Sequence, residues 1–145
     1  MDKQTETSGT SRLTPREMAQ IIADAWKNLD ISALREILAD DYEYTSQWVF
    51  DTMHGAETYL DYLSHKFEAM KRGGRPTVTD VRWNQELIEI DLMQTIDGES
   101  HKGMLAFDIK EGKVVRGCMC RPDFRRIDSN NDTIGFVFHS NKESH

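Results

Sequence analysis

Few side chains of this sequence are suited to acid–base chemistry inside a pocket. His101 shares one side of a predicted strand with Leu105 and Phe107, so it could serve as a neutral base or a hydrogen-bond donor facing apolar groups. Asp91 alternates with apolar residues in the run Leu87–Ile96. If the isoleucine side is the core, Asp91 faces solvent or a subunit contact. The reverse assignment buries Asp91 and makes it the best general base in the chain.

Aromatic side chains offer a binding surface close to these groups. Alternation along the predicted strand Tyr42–Phe50 places Tyr42, Tyr44, Ser46 and Trp48 on one side. Ring faces supply contact area for a flat ligand, and the Tyr44 hydroxyl supplies a directed hydrogen bond. The alternative, that these rings only fill the core, stays open at this point.

The remaining reactive groups give no sign of a metal or a cofactor. Cys118 and Cys120 share one strand face, where they are badly oriented for a disulfide, and no zinc-type spacing accompanies them. We therefore expect them to be small buried side chains. Arg121, Arg125 and Arg126 follow the last strand, where they could bind a substrate carboxylate or pair with surface acids. No glycine-rich phosphate loop is present, so no cofactor is expected.

Composition excludes several classes of function. The chain has 145 residues, with 18 Lys and Arg against 25 Asp and Glu, giving a net charge of −7. An acidic chain without a basic cluster is a poor ligand for nucleic acid, and the short apolar runs cannot span a membrane. Met1–Ser11 contains no apolar segment of a secretory signal. With only two cysteines, a cytoplasmic protein is expected.

Helix signals dominate the first half of the chain. Thr14, Pro15 and Glu17 form a capping-box pattern ahead of apolar residues at helical spacing, which predicts a helix that ends near Leu29. Asp30 can cap a second, shorter helix. A third helix is predicted from Gly55 to Gly73; its apolar stripe is Leu60, Leu63, Phe67 and Met70.

Strand signals dominate the second half. Four strands are predicted, Val78–Trp83, Leu87–Ile96, His101–Ile109 and Lys113–Cys120, with Asp97-Gly98 and Glu111-Gly112 as turns. Helices followed by strands predict an α+β fold with three N-terminal helices on a strongly bent antiparallel sheet. Residues 1–12 are expected to be a disordered tail, 13–127 the domain, and 128–145 an extension. Its apolar patch Ile134–Phe138 is either an edge strand or a docking surface.

Three stretches give the chain a family resemblance. They are Ala25–Asp30 running into Leu38–Tyr42, then Met53–Tyr59 at the start of the third helix, and Phe107–Val114 at the last hairpin. With these stretches and the order of its elements, the chain resembles the nuclear transport factor 2-like superfamily. That superfamily includes the SnoaL-like polyketide cyclases, the ketosteroid isomerases and scytalone dehydratase. The resemblance implies a cone-shaped fold that encloses an apolar cavity, with a convex sheet face that often pairs two subunits.

The resemblance also implies which residues bind a ligand in the cone. The expected ligand-binding residues are Trp26, Tyr44, Ser46, Trp48, Leu105, Phe107 and Met119. The catalytic positions of the isomerases fall on Ser46, Ile22 and about Gly103, none of which has a titratable side chain. Steroid isomerisation by that set of residues is therefore disfavoured.

Two functions follow as hypotheses. The first is a SnoaL-like homodimer that binds a small apolar or aromatic molecule, either without chemistry or as a cofactor-free isomerase, cyclase or dehydratase. Its expected catalytic residues are His101 or Asp91, with Tyr44 as hydrogen-bond donor. The second is a non-catalytic dimeric interaction module. An open cone favours the first, and a cone filled by Trp26, Tyr44 and Trp48 favours the second.

Overall fold

The structure is a computed structural model that describes residues 13–46 and 49–127. Its elements in chain order are α1 (Pro15–Asn28), a 3₁₀ turn (Ser32–Glu36), β1 (Leu38–Ser46), β2 (Val49–His54), α2 (Ala56–Arg72), β3 (Pro76–Trp83), β4 (Leu87–Ile96), β5 (Glu99–Lys110), β6 (Lys113–Cys120) and a short 3₁₀ turn (Pro122–Phe124). The expected tail 1–12, the extension 128–145 with its patch Ile134–Phe138, and Trp48 lie outside the described residues.

Helix α1 begins where its capping residues predict. The Glu17 backbone N–H donates to Thr14 Oγ1 at 3.1 Å, and the Thr14 N–H donates to Glu17 Oε1 at 2.8 Å. Pro15 occupies the first turn, where its missing N–H costs nothing. The helix ends at Leu29, which adopts a left-handed conformation with φ of 55°. Its buried side is Met18, Ala19, Ile22, Ala23, Ala25 and Trp26.

The expected second helix is wrong. The segment forms only the 3₁₀ turn Ser32–Glu36, whose first N–H donates to Asp30 Oδ1 at 2.9 Å. Apolar residues three apart fit a 3₁₀ turn as well as an α-helix. Leu38 then begins β1 and pairs with Val114 of β6, which takes the end of the segment into the sheet. Two α-helices, and not three, therefore cover the described sheet.

The sheet has six strands in the order β2-β1-β6-β5-β4-β3. Every neighbouring pair is antiparallel except β1 and β6, which run parallel, so the expected purely antiparallel sheet is wrong at this pair. The single strand expected over Tyr42–Phe50 is in fact parts of two, since β1 and β2 pair antiparallel with Ser46 opposite Val49.

Two hairpins set the register of the central strands. Asp97 and Gly98 have φ of 51° and 81°, and Glu111 and Gly112 have φ of 54° and 79°. Positive φ at both central residues is the signature of the type I′ turn that joins twisted antiparallel strands. As a result Gln94 of β4 lies opposite His101 of β5.

The core lies between the helices and one face of the sheet. Helix α1 packs on β3 and β4, and α2 packs on β1 and β2. The buried residues of β4 and β5 on this face include Ile88, Ile90, Leu105 and Phe107. Ile88 lies opposite Phe107 and Ile90 opposite Leu105, so the isoleucine side of β4 is the core side.

The outer face of the sheet buries an ionic group, here called the Arg82 cluster, which comprises Asp80, Arg82, Glu89, Asp91 and Arg125. Arg82 has no exposed side-chain surface and donates to both Asp91 carboxylate oxygens at 2.9 Å, to Asp80 at 2.8 Å and to Glu89 at 3.3 Å. Arg125 adds a bond to Asp91 Oδ2 at 3.1 Å. The acids of β4 thus lie on the outer face, as expected if the isoleucine side is the core, but Glu89 is buried and Asp91 is only 14% exposed, so they do not face solvent.

The segment that follows β6 completes the burial of Glu89. The backbone N–H of Arg126 donates to Glu89 Oε2 at 2.8 Å, and that of Ile127 donates to Oε1 at 3.1 Å. Glu89 is fully buried, and Ile127 is 8% exposed. Both faces of β4 are thus covered at this point, one by helices and the other by the returning chain.

Candidate functional site

A cavity of about 510 Å³ opens between the helices and the sheet. Its walls come from α1, β1, α2, the start of β3, the end of β4, the start of β5, and β6. The residues that line it are Trp26, Tyr44, Ser46, Tyr62, Lys66, Met70, Pro76, Leu92, Gln94, Ile96, Ser100, His101, Lys102, Gly103 and Met119.

The deep wall of the cavity is aromatic and apolar. Trp26, Tyr44, Met70 and Leu92 are all buried. The Trp26 ring stands edge-on to Phe67 with ring centroids 5.0 Å apart. Its buried indole N–H has no acceptor among the described residues, and such an unmet donor costs about 1–3 kcal/mol.

Tyr44 is held as a neutral phenol. Its ring lies 4.8 Å from that of Tyr59 and 6.0 Å from that of Tyr62, centroid to centroid. Burial, reinforced by these two phenols, raises the pKa of Tyr44 well above its ordinary value, and a side-chain hydrogen bond with Ser46 opposes this only in part. Tyr44 can therefore donate a hydrogen bond to a ligand but cannot act as a base near neutral pH.

The mouth of the cavity is polar and lies at the β4–β5 hairpin. Ser100, His101 and Lys102 are exposed there. The His101 side chain is 55% exposed, and its Nε2 lies 3.9 Å from Oε1 of Glu99. Gln94, which lines the cavity, donates to the Gly74 carbonyl.

The three expected catalytic residues do not share one site. Tyr44 lies in the deep wall and His101 at the mouth of the same cavity. Asp91 lies on the opposite face of the sheet, where Arg82 binds both of its carboxylate oxygens. Strand alternation is the reason, because the core takes the even-numbered side chains of β4 and leaves Asp91 to the outer face. Asp91 is thus wrong as a base in this cavity.

Four of the expected ligand-binding residues line the cavity: Trp26, Tyr44, Ser46 and Met119. Leu105 and Phe107 are placed in the core instead and are 0% and 2% exposed. Trp48 lies outside the described residues.

Sequence reasoning missed the contribution of α2. Tyr62, Lys66 and Met70 follow one another at intervals of four and form a wall of the cavity. Met70 belongs to the apolar stripe that identified the helix, and Tyr62 and Lys66 lie beside that stripe, so the four-residue spacing was the available signal. Lys102 was missed because alternation assigned it to the other side of β5, whereas the cavity opens at the strand end, where both sides are within reach.

The described residues contain neither a metal-binding cluster nor a membrane-spanning helix. Across residues 13–46 and 49–127, no group of three or more His, Cys, Asp or Glu side chains is arranged to hold a metal ion. Neither helix in these ranges has the length and apolar content needed to cross a membrane.

Solved structures provide the comparison with known proteins. One, a nuclear transport factor 2-like protein of unknown function from Mesorhizobium loti, superposes with a TM-score of 0.65 at 16% identity, covering 73% of this chain and 88% of that one. A second, of the same description, from Cytophaga hutchinsonii has a TM-score of 0.58 at 12% identity and covers 80% and 99%. The chain has the nuclear transport factor 2-like fold.

A third neighbour carries a functional description. It is a candidate polyketide cyclase from Xanthomonas campestris, with a TM-score of 0.56 at 16% identity over 72% of this chain and 87% of that one. No protein-family model and no curated protein matches the sequence. The nuclear transport factor 2-like fold supports many activities, so these similarities establish the architecture and leave the activity to the site.

Proposed function

We propose that this protein binds a small apolar or aromatic molecule in its cone cavity. The observation that carries the proposal is the open space of about 510 Å³ between a buried aromatic wall and a polar mouth. Ligand sites in proteins are concave, mostly apolar, and typically about 300–1,000 Å³ in volume, with a few polar groups that orient the ligand. Trp26 and Tyr44 supply the apolar wall, and Ser46 and Gln94 supply polar groups.

The arrangement of the aromatic rings supports binding over a filled core. Trp26 packs edge-on against Phe67, and Tyr44 packs against Tyr59, so both rings belong to the walls of the cavity. The interaction-module alternative has less support. Few large hydrophobic side chains are exposed on the described surface; they are Leu13, Ile96 and Phe124, from three separate segments of the chain, and Ile96 belongs to the cavity lining.

Chemistry in the cavity would be proton transfer without a cofactor. Neutral Tyr44 is suited to donate a hydrogen bond to a carbonyl or enolate oxygen, and His101 at the mouth is suited to move a proton. Isomerisation, cyclisation and dehydration all need this pair of roles. The similarity to the candidate cyclase makes cyclisation the first of these to examine, and turnover that survives His101→Ala would exclude this assignment.

A neutral probe series tests the binding proposal. We expect at least one primary amide of benzoic, naphthoic or pyrenecarboxylic acid to bind, as measured by isothermal titration calorimetry. Gly103→Leu places a side chain in the cavity, because the added Cβ meets only the flexible Met119 Sδ at 3.3 Å. This variant should lose at least about tenfold in affinity, since it occupies the space that the ligand needs.

Gly73→Leu is the matched control. Nothing lies within 4 Å of a Cβ added at Gly73, its backbone is extended, and it is not part of the cavity lining. Affinity should stay at the level of the unmodified protein. The proposal fails if no member of the series binds, either as the amide or as the parent acid, or if Gly103→Leu binds as tightly as Gly73→Leu.

A further inference from the structure

The charge of the cavity lining differs from that of the whole chain. Acidic residues outnumber Lys and Arg by 25 to 18 in the sequence. Among the described lining residues, however, the ionisable side chains other than the two tyrosines are Lys66, Lys102 and His101, and there is no aspartate or glutamate. A cavity of this composition in an acidic protein is locally positive.

The two lysines are available to a ligand. In the described part of the chain, neither Lys66 Nζ nor Lys102 Nζ has a carboxylate within ion-pair distance. Lys66 instead lies with its Nζ 5.8 Å from the centroid of the Tyr62 ring. Lys71, on the same helix but away from the cavity, pairs with Glu68 at 3.0 Å. Within residues 13–46 and 49–127, no carboxylate therefore neutralises either cavity lysine.

The hairpin at the mouth also carries two acidic residues, Asp97 in its turn and Glu99 at the start of β5. Glu99 lies 3.9 Å from His101, but its side chain is 80% exposed and does not line the cavity. A carboxylate so exposed is strongly screened by solvent. Asp97 is exposed as well and does not line the cavity, so the described lining itself contains no carboxylate.

Polarity also changes along the depth of the cavity. The buried residues Trp26, Met70 and Leu92 form the inner wall, while Lys102 and His101 are exposed at the opening. An ionic group is costly to bury away from water, and an aromatic body is favoured there. The cavity therefore matches a molecule with an apolar end and an anionic end.

We propose that the ligand is an aromatic carboxylate, bound with its rings against Trp26 and Tyr44 and its carboxylate between Lys66 and Lys102. This specificity rests on the proposed function of the same cavity. The competing occupant is an aromatic cation, because tryptophan and tyrosine faces attract cations. The two lysines oppose that occupant by like-charge repulsion.

A matched charge series tests the proposal in isothermal titration calorimetry. The probes are naphthalene and pyrene bodies carrying a carboxylate, a primary amide or an aminomethyl group. We expect the carboxylate to bind about tenfold more tightly than the amide of the same body, a difference of about 1.4 kcal/mol, because two partly exposed ion pairs contribute to it. Raising the salt concentration should reduce this preference, because exposed charges are screened.

The double variant Lys66→Met and Lys102→Met removes both charges and keeps the side-chain lengths similar. The ratio of amide to carboxylate Kd should then fall to near one. Lys110→Met is the control, because Lys110 is exposed at the far end of β5 and does not line the cavity. It should keep the preference of the unmodified protein.

The outcomes separate this proposal from the binding proposal. Amide binding without any carboxylate preference, or a preference that survives in the double variant, overturns the carboxylate assignment and leaves small-molecule binding standing. Tighter binding of the aminomethyl probe overturns it in favour of a cationic ligand. Absence of binding by all amides and all carboxylates overturns both proposals together.

Discussion

Replacing Arg82 by methionine should destabilise the fold severely. Arg82 has no exposed side-chain surface and is the shared hydrogen-bond donor for Asp80, Glu89 and Asp91, whose side chains are 18%, 0% and 14% exposed. Desolvation works to lower the pKa of Arg82, but its hydrogen bonds to Asp91 and Asp80 outweigh this and raise the pKa above the ordinary value. The guanidinium is therefore charged in the folded state.

Removing the cation leaves Arg125 bound to Asp91 and two backbone N–H groups bound to Glu89, which compensate the buried carboxylates only in part. Loss of one partner from a buried ion pair costs about 3–5 kcal/mol, a large part of the roughly 5–15 kcal/mol that stabilises a typical domain. We expect Arg82→Met to lose about 3–5 kcal/mol in urea unfolding followed by circular dichroism. Arg82→Lys keeps the charge but not the two-pronged bond to Asp91, so its loss should be smaller.

The control is Arg116→Met on β6. Arg116 pairs with Asp108 at 3.3 Å, but its side chain is 63% exposed. An exposed pair of this kind contributes at most about 1 kcal/mol. If Arg82→Met is no more destabilising than Arg116→Met, the reasoning about buried charge in the Arg82 cluster is refuted.

Two further predictions concern the tyrosines and a close backbone approach. Burial raises the pKa of Tyr42, Tyr44 and Tyr59 above the ordinary value of 10.0. Above about pH 10 the unfolded chain therefore loses protons that the folded protein keeps. The free energy of unfolding should then fall by roughly 1.4 kcal/mol per pH unit for each group. Phenolate absorbance of these residues should rise only as circular dichroism is lost, and a rise with the fold intact would contradict this. Gly117→Ala directs a Cβ into the Tyr42 hydroxyl and to 2.9 Å from Phe107, so it should cost about 1–3 kcal/mol in urea unfolding. Gly73→Ala, with open space around its Cβ, should cost far less, and equal losses would exclude overpacking as the cause.

Local features of the fold could be predicted because neighbouring residues determine them. Thr14 and Glu17 specify the start of α1 through bonds that span three residues. Asp97-Gly98 specifies a hairpin because the two-residue turn needs positive φ at both of its positions, and few residue types accept positive φ. The prediction failed at Ser32–Glu36, where local spacing fits two kinds of helix and a distant strand decides the outcome.

The site could be predicted only in part, for a related reason. Alternation along β1 correctly brought Tyr44 and Ser46 to the cavity. Alternation along β4 left two assignments for Asp91, and the choice depends on Arg82 and on Arg125, which lies 34 residues further along the chain. Lys66 reaches the cavity because of the way α2 packs against β1. The spacing of residues within α2 does not determine that packing.

The parallel pairing of β1 with β6 has a consequence for the order of folding. The β4–β5 and β5–β6 hairpins close over two-residue turns, whereas Leu38 must find Val114 across most of the domain. Closing a long loop costs entropy that only later contacts recover. We expect β3 to β6 to associate first and β1 to dock last.

The cavity depends on that last step, because Tyr44 enters with β1 while Leu92 is already in place on β4. Binding capacity is then the final property that the folding chain acquires. A ligand that occupies the cavity holds β1 and β4 together and so slows the reversal of that step in particular.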